Sequence, residues 1–242
     1  MTRHTVHIRP DEATVARDAA AALVQRIRDR QGAGGHVHIV VTGGGVGTMV
    51  LAALVTADID WSAIDLWWGD ERFLPEGHPD RNATAAQAAL LDQVPIPAAH
   101  VHAMPADSGQ GADQAARDYA DELASASTNG VAPDFEVLLL GVGPEGHVAS
   151  IFPHSPAAVA AVPVVAVHDS PKPPPTRVSM TFPTLRGARE VWLVASGEAK
   201  ADAIAAAVAA NTNPVDVPAA GAVGRVETVV WLDEAAASAL IV

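Results

Sequence analysis

Histidine is the side chain best suited to move a proton near neutral pH. One of the ten histidines here, His147, follows a distinctive run. Phe135 to Leu140 is a continuous apolar stretch, and Gly141-Val142-Gly143-Pro144-Glu145-Gly146-His147 comes directly after it. An unbroken apolar run of this length suits a parallel strand buried on both faces. Glycines, lacking Cβ, let the turn beyond it approach a ligand closely. The reading predicts a core strand, a tight loop, and His147 at the start of a short helix. In open parallel sheets ligands bind beyond the carboxyl ends of the strands, so His147 stands where a general base would work, the plainer alternative being a histidine bonded to loop carbonyls.

Three other segments could hold or orient an anion. Thr42-Gly43-Gly44-Gly45-Val46-Gly47-Thr48 lies between an expected strand and an apolar helix from Met49 to about Ala57. Such a turn is either a geometric necessity or a phosphate cradle built of backbone N–H groups. It lacks the Gly-Lys-Ser/Thr of a Walker A loop and the third glycine of a dinucleotide fingerprint. Gly69-Asp70-Glu71-Arg72 ends the expected strand Ile64 to Trp68. Asp70 or Glu71 could orient a substrate or act as a base there, and Arg72 could grip a phosphate bidentately; a solvated charge cluster is the competing reading. Ser170-Pro171-Lys172-Pro173-Pro174-Pro175-Thr176-Arg177 holds one of only two lysines in the chain. Its prolines fix an extended backbone that would set Lys172 and Arg177 in a defined geometry.

The elements that must position these groups alternate between strand and helix. Further strands are expected at Thr5 to Arg9, His36 to Val41, Val101 to Met104, Val162 to Val167, Glu190 to Ala195 and Thr228 to Leu232. Helices are expected after Asp11, up to Leu91, over Gly109 to Ser127, from Lys200 to about Ala210, and at the end, capped by Asp233. Tyr119 reads as a packing residue with its hydroxyl at the rim, and the alanine-rich helix after Gly197 as packing alone. No linker or repeat divides the 242 residues, so one domain over 1–242 is expected. The net charge of −13 argues against nucleic acid or an anionic membrane as partner. Without cysteine there are no disulfides, thiolate metal sites or cysteine nucleophiles. The histidines show no H-E-x-x-H spacing. With no signal sequence and no apolar run of spanning length, a cytoplasmic location is expected.

Taken together, the glycine loop at Thr42, the Trp68 to Arg72 segment with His78-Pro79-Asp80 and Asn82, the Leu140 to Pro153 segment, the proline-rich loop and Gly197-Glu198-Ala199-Lys200 resemble the 6-phosphogluconolactonase family. The glycine-histidine segment is shared with glucosamine-6-phosphate deaminases, whereas the proline-lysine-arginine loop points to the lactonase. The resemblance implies an α/β domain of three layers, with a mostly parallel, Rossmann-like central sheet flanked by helices. It implies hydrolysis of a sugar-phosphate lactone without cofactor or metal, by a monomer or weak homo-oligomer. His147 would be the general base, with Asp70 and Glu145 assisting. Gly43, Gly44, Gly45, Arg72, Gly146, Lys172 and Arg177 would bind substrate, and N–H groups of the Gly143–His147 loop would meet the oxyanion. The chain departs from the family pattern at Gly45-Val46-Gly47, where a serine and then Thr-Pro are usual, at Glu145, where Asp is usual, and at Val148, where Thr is usual. Deamination needs an additional carboxylate soon after the histidine, and Ala149 to Pro153 supplies none. A non-catalytic sugar-phosphate sensor would normally carry a further binding domain, for which this chain has neither room nor charge.

Overall fold

A computed structural model describes residues 4–240. Seven strands form the main sheet: β1 (His4–Arg9), β2 (Val37–Val41), β3 (Ile64–Trp68), β5 (Val101–His102), β6 (Phe135–Gly141), β9 (Glu190–Ala195) and β10 (Glu227–Asp233). Their order is β1-β10-β9-β6-β2-β3-β5, and every pair is parallel. The central strands are largely buried on both faces because helices cover them: Val137 to Leu140 are at most 2% exposed, whereas the edge strand β1 exposes Val6 and Ile8. A second sheet, which the sequence reading did not separate from the first, joins β4 (Asp70–Arg72), β8 (Arg177–Met180) and β7 (Val164–Val167) in antiparallel order β4-β8-β7.

The helices are α1 (Glu12–Gly32), α2 (Gly45–Ala53), α3 (Asn82–Ala89), α4 (Ala112–Ser125), α5 (Phe182–Leu185), α6 (Ala201–Val208) and α7 (Pro218–Gly221). Asp11 caps α1, its carboxylate accepting the Thr14 N–H at 2.7 Å. α1 packs on α2 and on β10, and α4 on β7 and β8. No helix among the described residues is long and apolar enough to cross a membrane.

The connectivity fixes where a site can form. From β2 the chain moves outward to β3 and β5, then returns to the other side of β2 as β6. The loops after β2 and β6 therefore diverge at a switch point, where open parallel sheets leave a crevice.

Three local expectations are corrected. His147 starts no helix, because the chain after Gly146 folds into isolated bridges that pair Val142 with Val148 and Val148 with Ile151. Tyr119 is fully buried, and its hydroxyl donates to the Trp68 and His102 carbonyls and accepts the Trp68 N–H at 3.0 Å. A buried phenol must find such partners. Asp233 accepts the Ala236 N–H at 2.7 Å, yet among the described residues only turns follow it.

Candidate active site

The loop after β2 runs straight into α2, so the helix begins at Gly45, earlier than Met49. Burial of Val46, Val50 and Leu51 pulls the glycine-rich segment into helical form. Gly44, at φ +83°, is the cap residue and offers no side chain. The first helical bond beyond it runs from Thr48 N–H to the Gly44 carbonyl at 2.9 Å, which leaves the Gly45, Val46 and Gly47 N–H groups without helical partners. A Cβ on Gly43 would stand 1.9 Å from Asn82 Oδ1. Thr42 Oγ1 accepts the Gly141 N–H at 3.3 Å and so ties this loop to the end of β6.

After β3 the chain turns into the small sheet, where β4 places Asp70 opposite Ser179 and Arg72 opposite Arg177. Asp70 is buried, its Oδ2 accepting the Ser150 hydroxyl at 2.6 Å and lying 3.9 Å from Arg177 Nη1. Glu71 points elsewhere. It accepts backbone N–H groups of Arg72, Asn82 and Ala83 at 2.7–2.8 Å, so it anchors the start of α3 and is not a base in the cleft.

The loop after β6 closes on itself: Gly146 donates to the Gly143 carbonyl and Gly143 to the His147 carbonyl, both at 2.9 Å. Two of the amides expected to meet an oxyanion are thereby spent. The His147 ring lies against Phe152, with centroids 4.5 Å apart, and directly over Gly143, where a Cβ would fall 1.9 Å from Nδ1. Burial lowers the His147 pKa below the ordinary imidazole value, the Lys172 ammonium lowers it further, and Glu145 and Asp70 oppose the shift without reversing it. Glu145 Oε1 stands 3.2 Å from Nδ1, but out of line for a hydrogen bond, and Nδ1 has no partner. The other carboxylate oxygen accepts Lys172 Nζ at 2.8 Å. Burial alone would raise the Glu145 pKa, but this ion pair, its own backbone N–H and the His147 charge bring it below the usual carboxylate value.

One cleft of about 280 Å³ brings most of the expected residues together. Gly43, Gly44, Gly45, Asp70, Arg72, His147 and Arg177 all line it. Lys172, Glu145 and Gly146 do not: Lys172 and Glu145 pair beside His147, and Gly146 is a turn residue at φ +86° whose Cβ would meet Val217 at 2.8 Å. Arg177 is partly a structural hook, because its guanidinium donates to the carbonyls of Lys172, Pro173 and Pro174 at 3.1–3.2 Å. Arg72 Nη1 donates to the Asp80 carbonyl at 2.6 Å, and its buried Nε has no partner.

Lys200 lines the cleft as well, although the sequence reading treated the helix after Gly197 as packing. The Asp233 carboxylate receives the Gly197 N–H at 3.0 Å and fixes the turn that presents it. Burial, then the nearby Lys172, lowers the Lys200 pKa. The signal that could have found it is scarcity, since in a chain with two lysines each one in a loop is conspicuous. Three cations (Arg72, Arg177, Lys200) face two carboxylates (Glu12, Asp70) in the cleft, a local positive excess inside an acidic protein.

Comparison with known proteins bears on the family and the fold. A family model described as glucosamine-6-phosphate isomerases/6-phosphogluconolactonase matches residues 10–231. A 6-phosphogluconolactonase of Streptomyces coelicolor is 52% identical, covering 95% of this chain and 92% of its own length. The 6-phosphogluconolactonase of Mycobacterium tuberculosis is 47% identical with 98% of both chains covered. Among solved structures, the 6-phosphogluconolactonase of Trypanosoma brucei superposes with a TM-score of 0.87 at 25% identity over the whole of both chains. A monomeric glucosamine-6-phosphate deaminase also superposes, with a TM-score of 0.79 at 18% identity over 97% of this chain and 99% of its own, so the fold by itself does not choose between the two reactions.

Proposed function

The chain belongs to the glucosamine-6-phosphate isomerase/6-phosphogluconolactonase family, and we propose that its cleft carries out lactone hydrolysis with His147 as general base. The reaction is conversion of 6-phospho-D-glucono-1,5-lactone to 6-phospho-D-gluconate, a step of the oxidative pentose phosphate pathway. The observation that carries the assignment of roles is the placing of His147: half-buried, with a lowered pKa, in one cleft with Asp70 and the cations Arg72, Arg177 and Lys200. With Nδ1 enclosed between Gly143 and Glu145, Nε2 is the nitrogen left for water.

In this reading water attacks the lactone carbonyl carbon while His147 takes its proton. The tetrahedral intermediate then collapses, the bond from that carbon to the ring oxygen breaks, and the imidazolium returns its proton to the departing oxygen. A positioned base contributes about 10²–10⁴-fold. Asp70, held by Ser150, orients the substrate hydroxyls or the water. The open N–H groups at the start of α2, with Arg72 and Lys200, bind the 6-phosphate. A dianion there would meet the helix dipole and two charges at once. Arg177 shapes the cleft and adds to its positive field. The scheme draws each of its groups from one chain, which supports the reading of a monomer or weak homo-oligomer, and a phosphorylated substrate supports a cytoplasmic location.

The test is a lactonase assay with spontaneous hydrolysis subtracted, run beside an assay for ammonia release from glucosamine 6-phosphate. Lactone turnover without ammonia release is expected. Deaminase activity without lactonase activity would overturn the reading.

A further inference from the structure

The opposite end of the sheet carries a second cluster of titratable groups that lactone chemistry does not use. His36 and His38 lie at the start of β2, Asp65 at the start of β3, and His100 and His102 where the chain enters β5. The parallel register sets His38 beside Asp65. The buried Asp65 carboxylate sits among three imidazoles: Oδ1 is 3.0 Å from His102 Nε2, Oδ2 contacts His36 Nε2, and Oδ2 lies 3.4 Å from His38 Nδ1 without accepting from it.

Two of these rings are held by other neighbours. His102 Nδ1 is 2.7 Å from Glu122, and its ring stacks on Trp67 with centroids 3.8 Å apart. His38 Nδ1 accepts the Trp67 indole N–H at 3.3 Å. His36 and His100 are not held in this way. His100 Nδ1 is buried without any hydrogen-bond partner, and its ring meets His36 edge-on at 5.3 Å. Donor atoms of His36, Asp65 and His100 all lie within 4.8 Å of one another.

A buried carboxylate among several imidazoles, with one buried ring nitrogen unpaired, is a set of donors that a shared cation would satisfy. Two imidazoles and one carboxylate are a ligand set for divalent first-row metals, with bonds of about 2.0–2.2 Å to zinc. Donors around such an ion sit roughly 3–4 Å apart, so small side-chain rotations would close the set. His102, braced by Glu122, supplies the outer support that fixes a ligating carboxylate. The His36 side chain is 40% exposed and gives the ion a way in. We propose that His36, Asp65 and His100 form a binding site for a divalent transition-metal ion of the zinc type, which pins the starts of β2 and β3 to the segment entering β5. The sequence reading could not see it, because the ligands come from three separate segments with no motif spacing.

Metal-stripped protein titrated with Zn²⁺ by calorimetry, and with Co²⁺ by visible absorption, decides the matter. One ion per chain is expected, with Co²⁺ bands of a nitrogen–oxygen site and a thermal midpoint that rises on adding Zn²⁺. His36→Ala and His100→Ala should each weaken binding by at least about tenfold, while His147→Ala, which removes the imidazole of the cleft, leaves it unchanged. Circular dichroism checks folding, and because His36 is half-exposed its variant alone suffices should His100→Ala not fold. No binding up to millimolar metal, unchanged binding in the His36 variant, or binding lost in His147→Ala instead, overturns the site.

Discussion

Two glycine loops leave the sheet at the same switch point and are built for opposite purposes. The loop after β2 keeps its N–H groups open, because α2 starts at Gly45 with only Gly44 before it and no side chain to cap it. The loop after β6 spends its N–H groups on itself, Gly143 to His147 and Gly146 to Gly143, and so becomes a rigid seat for one ring. An anion needs donors left free, whereas a base needs a fixed position and a dry flank. Glycine serves both ends by different routes: at Gly44 through a positive φ, and at Gly143 by leaving room for His147. Richness in glycine therefore says little about role until the destination of the amides is known.

The comparison breaks most visibly at the seated ring. His147→Ala should lower kcat by about 10²–10⁴-fold while KM stays close to wild type, because the proposed phosphate cradle belongs to the other loop. Steady-state kinetics with the uncatalysed rate subtracted reads this, and an unchanged kcat would remove His147 from the mechanism. Nearly as large an effect is expected from Gly143→Ala. The new Cβ would fall 1.9 Å from Nδ1, so the ring must move, and a displaced base loses on the order of 10² in rate. In the open loop, Lys200→Ala should raise KM by about 10–100-fold, corresponding to the loss of a charged hydrogen bond of roughly 1.5–3 kcal/mol, with a smaller change in kcat. A KM unchanged by Lys200→Ala would move the phosphate away from this end of the cleft.

These contrasts also mark what could be read in advance. The β6 run and its glycine turn announced themselves because a doubly covered strand must be apolar throughout, and the alternation of elements gave the α/β layers. Asp70 and Arg72 are likewise expected at the cleft by their position after a strand end, and Arg177 by the proline-rich loop that holds it; all three line it. What residue types do not show is which partner claims them. Arg177 is a cation in the sequence, but in the fold three carbonyls of the proline-rich loop occupy much of its guanidinium. Lys172 looked like a phosphate ligand, yet Glu145 holds it. Glycines at 43–47 read as turn by propensity, but the buried Val46, Val50 and Leu51 draw the segment into helix. Lys200 depends on a contact between Gly197 and Asp233, 36 residues apart, which no local pattern carries.

The smallest expected effect separates two ways in which Glu145 could serve the seated ring. His147 must be neutral to accept a proton, and burial holds its pKa below the ordinary 6.5. Activity is therefore full above that pKa and lost as pH falls through it, so the acid limb of kcat/KM should lie below 6.5. Glu145 acts on His147 through its charge, not through an aligned hydrogen bond, and Lys172 acts with the opposite sign. Removing the carboxylate charge in Glu145→Gln makes the imidazolium harder to form, so the limb should move to lower pH, with kcat on the plateau little altered. Removing the ammonium in Lys172→Met does the reverse and should move the limb to higher pH. Were Glu145 instead the group that orients the ring, Glu145→Gln would cost plateau rate at every pH and leave the limb in place. Two variants at one ion pair that displace the same limb in opposite directions are a signature that loss of ring orientation does not produce.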